Sequence, residues 1–149
     1  INNRTLYFIG GLDWIPNVEG LFWFMDEVFP ALLNRFPDLT FHIAGRNGDA
    51  GWKSMQRPGI IYHGAVPDAA DFASDKYICI VPLLSGSGMK IKIIEAMFLG
   101  KPVVTTSKGA SGMPDGTSDY FYTASSVQTL SHSAITQQLI KFYQNLPLR

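Results

Sequence analysis

A short unbroken apolar run that stops at glycine or proline recurs along this chain, and that recurrence constrains the fold more than any other feature. Leu6-Tyr7-Phe8-Ile9 ends in Gly10-Gly11, Thr40-Phe41-His42-Ile43-Ala44 in Gly45, Ile60-Ile61-Tyr62-His63 in Gly64, and Tyr77-Ile78-Cys79-Ile80-Val81 in Pro82. A run that is apolar at successive positions, rather than at every second one, suits a strand covered on both faces. Such strands belong to parallel sheets, whose crossover connections lay helices over both sides. The intervening stretches change period accordingly. Leu21, Phe24, Met25, Val28, Leu32 and Leu33 follow Pro16 at helical spacing until Phe36-Pro37, which predicts one long amphipathic helix.

Further along, Asp68 to Ser74 reads as a short helix and Met89 to Leu99 as a second, closed by Gly100. Pro102 to Thr105 is a fifth strand, Lys108 to Ser118 a long loop with three glycines, and Phe121-Tyr122 the centre of a sixth strand. Val127 to Asn145 is expected to form a closing helix through Leu130, Ile135, Leu139, Ile140 and Tyr143. The expected fold is α/β: a Rossmann-like, doubly wound parallel sheet of about six strands with helices on both faces.

At 149 residues the chain has the length of one domain, 1–149, and is short for an enzyme that must hold two substrates. It opens on Ile1-Asn2-Asn3 without a methionine, so we expect a piece of a longer protein. Twelve basic residues balance twelve acidic ones, which argues against nucleic acid as a partner. The 46% hydrophobic and 16% charged content suits a packed core. Cys79 stands alone inside an apolar run, so no internal disulfide forms; this fits a reducing cytoplasm. No apolar stretch reaches the length of a membrane span, and no His, Cys and carboxylate cluster has metal-ligand spacing. Neither a metal nor a cofactor is expected.

In sheets of this kind ligands bind outside the carboxyl ends of the strands, so the loops there carry the chemistry. The segment Pro82 to Gly100 is the most informative. Gly86 and Gly88 lack a Cβ and let a ligand approach the backbone, while the following helix aims free N–H groups and its positive end at the same point. A diphosphate fits there. Lys90 and Lys92 supply positive charge for its oxygens, or else are solvated helix residues. Glu95 is the one acidic residue of a helix otherwise expected to be buried nearly all round by Ile91, Ile93, Ile94, Ala96, Met97 and Phe98. Its carboxylate can accept hydrogen bonds from vicinal hydroxyls such as those of a ribose; the alternative is an ion pair with Lys92, one turn away.

This segment resembles the donor-binding signature of group 1 glycosyltransferases of the GT-B fold, through its glycine loop, its lysines, Glu95-Ala96-Met97 and Gly100-Lys101-Pro102-Val103-Val104. Phe8-Ile9-Gly10 with Trp14 and Pro16-Asn17 resembles the opening of the family's C-terminal domain. His42 to Gly45, His63 to Val66 and Lys108 to Gly112 resemble its later strand-end loops. The likeness spans about residues 5 to 124. It implies transfer of a sugar, with retention, from a nucleotide-diphosphate sugar to an acceptor held by a separate N-terminal domain, without an essential metal. It further implies that Glu95 binds the donor ribose, that Ser85, Gly86, Ser87, Gly88 and Met89 lie against sugar and diphosphate, and that Lys90 and Lys92 offset charge on the leaving group. Lys90, Lys92 and Glu95 are thus the catalytic candidates. Gly11, Arg46 and His63, each at or just beyond a strand end, complete the donor-binding set.

The sequence departs from the family pattern in informative ways. Ser87 stands where many members have a second glutamate, and Gly11 and Asn17 stand where an arginine and a lysine often serve the diphosphate. His42 and His132 are more simply packing or surface residues, and Trp14 and Trp23 core or interdomain residues. Two other functions fit the same fold: a different nucleotide or nucleotide-sugar enzyme, epimerase-like or NAD-dependent, and a non-catalytic binding module. Against NAD, Gly10-Gly11-Leu12-Asp13-Trp14 lacks the G-x-G-x-x-G cradle. Alone, the domain is expected to bind without turnover and to self-associate through a face that the N-terminal domain would cover. A bacterial polysaccharide or glycolipid pathway, with the full enzyme cytoplasmic or peripheral to the membrane, is implied by the resemblance only.

Overall fold

The computed structural model describes residues 4–118, 121–124 and 140. Its strands are β1 (Thr5–Ile9), β2 (Thr40–Ala44), β3 (Ile60–Gly64), β4 (Ile78–Val81), β5 (Val103–Thr106) and β6 (Phe121–Ala124), arranged in one six-stranded sheet of order β3-β2-β1-β4-β5-β6. Every neighbouring pair is parallel. The order reverses at β1, which lies between β2 and β4, so the sheet is doubly wound, as expected from the recurring runs.

Alternation along the strands sorts the core into two layers. Leu6, Phe8, Phe41, Ile43, Ile78 and Ile80 face one side, where they pack with Leu21, Phe24, Met25, Val28, Phe29 and Leu32. Tyr7, Ala44, Cys79, Val81 and Val103 face the other, against Phe72, Ala73, Ile93 and Ala96. Because both faces of the central strands are covered, the strands carry no Asp, Glu, Lys or Arg and read as largely apolar runs.

The first layer's helix is not uniform. α1 (Ile15–Trp23) passes through a π-helical turn at Phe24–Val28 into α2 (Phe29–Arg35). Pro30 explains the break. It has no N–H to donate, and in regular α geometry its ring collides with the carbonyl four residues back, that of Asp26. The chain widens by one residue, and the Phe29 N–H bonds to the Phe24 carbonyl instead. The apolar spacing still lands Phe24, Met25 and Val28 in the core.

α3 (Ala50–Ser54) has no counterpart among the elements expected from the sequence. Asp49 starts it, accepting from the N–H groups of Gly51 at 2.8 Å and Trp52 at 3.2 Å. Burial of Trp52 beside Phe22 and Tyr62 holds it down. α4 (Ala69–Ser74) has the expected Asp68 as its N-cap. α5 spans Ile91–Phe98, and Lys90 at its N-cap keeps an extended backbone, so Met89 belongs to the loop. The expectation that α5 is buried nearly all round is corrected. Ile93 and Ala96 are buried, but Ile91 is 64% and Phe98 88% exposed. One sheet face can cover only one side of a helix. The start of the expected 108–118 loop is α6 (Ser107–Ala110), begun by Thr106, whose hydroxyl accepts from the Gly109 N–H. The closing helix lies outside the described residues, apart from Ile140, which packs against the first layer.

Candidate functional site at the sheet reversal

Where the strand order reverses, the loops leaving β1, β2 and β4 meet. The first two are fastened together: Gly10 donates its N–H to the Ala44 carbonyl at 3.2 Å, and Leu12 to that of Arg46 at 2.9 Å. They run so close that a Cβ on Gly45 would stand 1.8 Å from the Gly10 carbonyl oxygen. A cleft of about 410 Å³ opens beside them, lined by Ile9, Gly10, Gly11, Gly45, Arg46 and the Val66–Ala69 stretch. Gly11 and Arg46 therefore line the same cleft. The Arg46 side chain is exposed at the edge of the cleft.

The loop after β4 turns through Gly86 at φ +99° and Gly88 at φ +81°, both left-handed conformations that L side chains rarely adopt. Ser85 anchors the near end by donating to the Glu19 carboxylate at 2.9 Å. Ser87, Gly88 and Met89 are exposed, and a Cβ on Gly88 would meet nothing. The backbone here is thus open to a ligand, and α5 begins directly behind it.

The two lysines, equivalent by sequence, serve different ends. Lys90 is 4% exposed and folds back, donating to the Gly88 carbonyl at 2.5 Å and reaching that of Ser111 at 3.5 Å. It staples the glycine loop to the chain after α6. Burial, with Lys108 nearby, lowers its pKa. Lys92 instead crosses to the loop after β1. Its ammonium donates to Asn17 Oδ1 at 2.6 Å and lies 5.1 Å from the Phe8 ring centroid and 5.4 Å from that of Trp14. Burial lowers its pKa to about 8. Among the described residues no carboxylate pairs with it, so the Lys92–Glu95 ion pair considered from spacing does not form.

Glu95 is exposed one turn along α5 and, with Lys92, borders a small hollow between Ile9, Ala69 and Leu99. His63 stands further off, at the edge strand. Its Nε2 lies 2.9 Å from His42 Nδ1, the rings stack, and His63 also meets Phe72 edge-on. It is engaged with β2 and α4 rather than with the glycine loop.

Two residues outside the expected set belong to this site. Asn17 is 2% exposed and also donates from Nδ2 to the Gly11 carbonyl at 2.8 Å, so it links both loops. Its signal was an amide in the first turn of the helix after β1. Trp14, read from sequence as packing, is 44% exposed, with its ring edge 3.3 Å from where a Gly86 Cβ would be. Among the described residues no group of His, Cys, Asp and Glu could hold a metal ion.

Comparison with known proteins agrees with this fold. A curated relative, an uncharacterized 44.6 kDa protein in the cps region of Klebsiella pneumoniae, is 30% identical over 121 residues, which cover 75% of this chain and 31% of the relative. Among solved structures, the spinosyn rhamnosyltransferase SpnG in complex with spinosyn aglycone matches at a TM-score of 0.67 and 14% identity, covering 97% of this chain and 38% of that one. TarM matches at 0.61 and 12% identity, over 93% of this chain and 29% of that one. GlyE of Streptococcus pneumoniae matches at 0.55 and 10%, over 94% and 32%. These structures share the fold, and the chain spans about a third of their length. The sequence matches the family described as Glycosyl transferases group 1 across residues 3–145, so the chain belongs to that glycosyltransferase family.

Proposed function

We propose that this domain binds the nucleotide-diphosphate sugar in a retaining glycosyl transfer, with the diphosphate over Gly86 to Met89 and beside Lys92. The observation that carries the reading is Lys92: a half-buried ammonium without a carboxylate partner among the described residues, held at the sheet reversal 3.3 Å from where a Cβ on Gly10 would stand. Such a cation is costly to desolvate unless an anion completes it. Lys92 stabilises the charge that develops on the leaving diphosphate, and the N-terminal turn of α5 adds to it. Lys90 contributes by holding the loop's shape. Glu95 accepts from the ribose hydroxyls, and Arg46, above the cleft by Gly11, reaches base or phosphate.

The acceptor is held by a further domain of the longer protein, so this domain alone binds donor without useful turnover. The cps-region relative supports a role in bacterial polysaccharide synthesis. Placement in the cytoplasm, peripheral to the membrane, belongs to the same proposal; among the described residues no helix is long and apolar enough to cross a membrane, and Cys79 is a buried free thiol.

Calorimetric titration with UDP, GDP, ADP and NAD tests the proposal. Saturable binding of one nucleoside diphosphate is expected, weakened roughly tenfold by Glu95→Ala, as for loss of a charge-assisted hydrogen bond of about 1.5 kcal/mol. Preference for NAD would replace the reading with that of a dinucleotide enzyme. Silence from all four would leave a non-catalytic module.

A further inference from the structure

Asn17 joins the two halves of the site, and its burial makes that link unusual. Both of its polar atoms are used: Nδ2 donates to the Gly11 carbonyl at 2.8 Å, and Oδ1 accepts from Lys92 Nζ at 2.6 Å. Pro16 and the Trp14 carbonyl, which accepts from the Asn17 N–H at 3.0 Å, fix the backbone that carries it. At 2% exposure the side chain has no water to turn to. With Nδ2 committed to a carbonyl, Oδ1 must face Lys92, so the amide cannot flip without setting two donors against each other.

We infer that Asn17 is a positioning residue that fixes Lys92 in its charged form and aims it at the glycine loop for the donor diphosphate. This rests on the donor-binding reading above. A neutral amide suits the task better than a carboxylate. It accepts from the ammonium through one oxygen yet leaves its net charge for the ligand, whereas an aspartate would neutralise the charge and compete with phosphate. The ammonium's other surroundings act on its proton in both directions, with Cys79 and Glu95 favouring the charged form and Lys90 opposing it. Phe8 and Trp14 offer ring faces, Cys79 on β4 is a buried thiol, Lys90 on the same segment repels, and Glu95 is exposed. Tyr7 borders the same hollow from β1. Beside them, the hydrogen bond from Lys92 to Asn17 supports the charge by direct contact.

The test is a pH titration of the 149-residue chain carrying lysine labelled with ¹³C at the ε carbon. The Lys92 resonance is identified by its loss in Lys92→Arg. The wild-type midpoint is expected near 8. Asn17→Leu should lower it by about one to two pH units, the worth of a hydrogen bond to a charged group, and Asn17→Asp should raise it. For the nucleoside diphosphate that binds, Asn17→Leu should weaken affinity several-fold at pH 8 and recover it at pH 6. Asn17→Asp should weaken affinity at both. A purely structural role would change stability without moving the Lys92 midpoint. An unmoved midpoint in the folded variants overturns the inference, and Asn17→Asp, nearly identical in shape, decides if Asn17→Leu does not fold. A shifted midpoint in a protein that binds no nucleotide keeps the coupling but overturns the donor assignment.

Discussion

Lys90 and Lys92 are two residues apart, yet one folds back to hold a loop and the other crosses to a buried amide. The difference lies in what each can reach. Lys90, in extended backbone just before α5, meets the carbonyls of Gly88 and Ser111. Lys92, in the helix, projects towards β1 and meets Asn17. At the same scale Gly45 sets how closely the loops after β1 and β2 approach. A Cβ there would overlap the Gly10 carbonyl oxygen, and backbone cannot yield as a side-chain end can. Gly45→Ala is therefore expected to destabilise the fold by about 1–3 kcal/mol, the usual cost of overpacking, and to weaken nucleotide binding by parting the two loops. Urea denaturation checks the first effect and titration the second; an unchanged midpoint in urea would contradict this account of the crossing.

Among the elements, β3 is the least regular. Its register against β2 passes from Ile43–Tyr62 to Ala44–Gly64, which leaves His63 as an extra residue at a bulge. There its ring meets His42, with Nε2 and Nδ1 2.9 Å apart. One proton can be shared across that gap, but two protonated rings would repel. Burial first, then Lys76, lowers both pKa values, that of His42 to about 4, from an ordinary value of 6.5. The unfolded chain thus binds protons more readily than the folded one between those values. Stability is expected to be fully present above pH 6.5 and to decline as pH falls towards 4. Denaturation midpoints across that range measure it. His63→Gln, which removes one of the two potential cations, should make the decline shallower, and an equally steep decline in that variant would exclude the pair as its source.

For the whole molecule, the balance of apolar surface matters most. The sheet is covered on both faces, yet Ile15 at 75%, Met89 at 51%, Ile91 at 64% and Phe98 at 88% remain exposed around the strand-end side and α5. Large apolar side chains left exposed at these positions favour association. The 149-residue chain is expected to show concentration-dependent mass in sedimentation equilibrium, reduced by Phe98→Ser together with Ile91→Ser. A constant monomer mass up to millimolar concentration would count against it.

By itself the sequence determined the architecture and pointed to the strand-end loops as the place where a site is expected. Continuous apolar runs bounded by glycine or proline suit strands buried on both faces, and a glycine loop ahead of a helix is a recurring anion-accepting arrangement. It also carried the family resemblance, because that likeness is a matter of residue order. Tertiary structure decided what each polar residue does. Nothing in the order of residues tells which lysine turns back and which crosses the cleft, because the outcome depends on distances between segments 75 residues apart in the chain. The same holds for His63, drawn to His42 by a bulge, and for α3, which rests on the burial of one tryptophan. Local pattern fixes which faces must be hidden; which polar groups then meet follows from how the hidden faces pack.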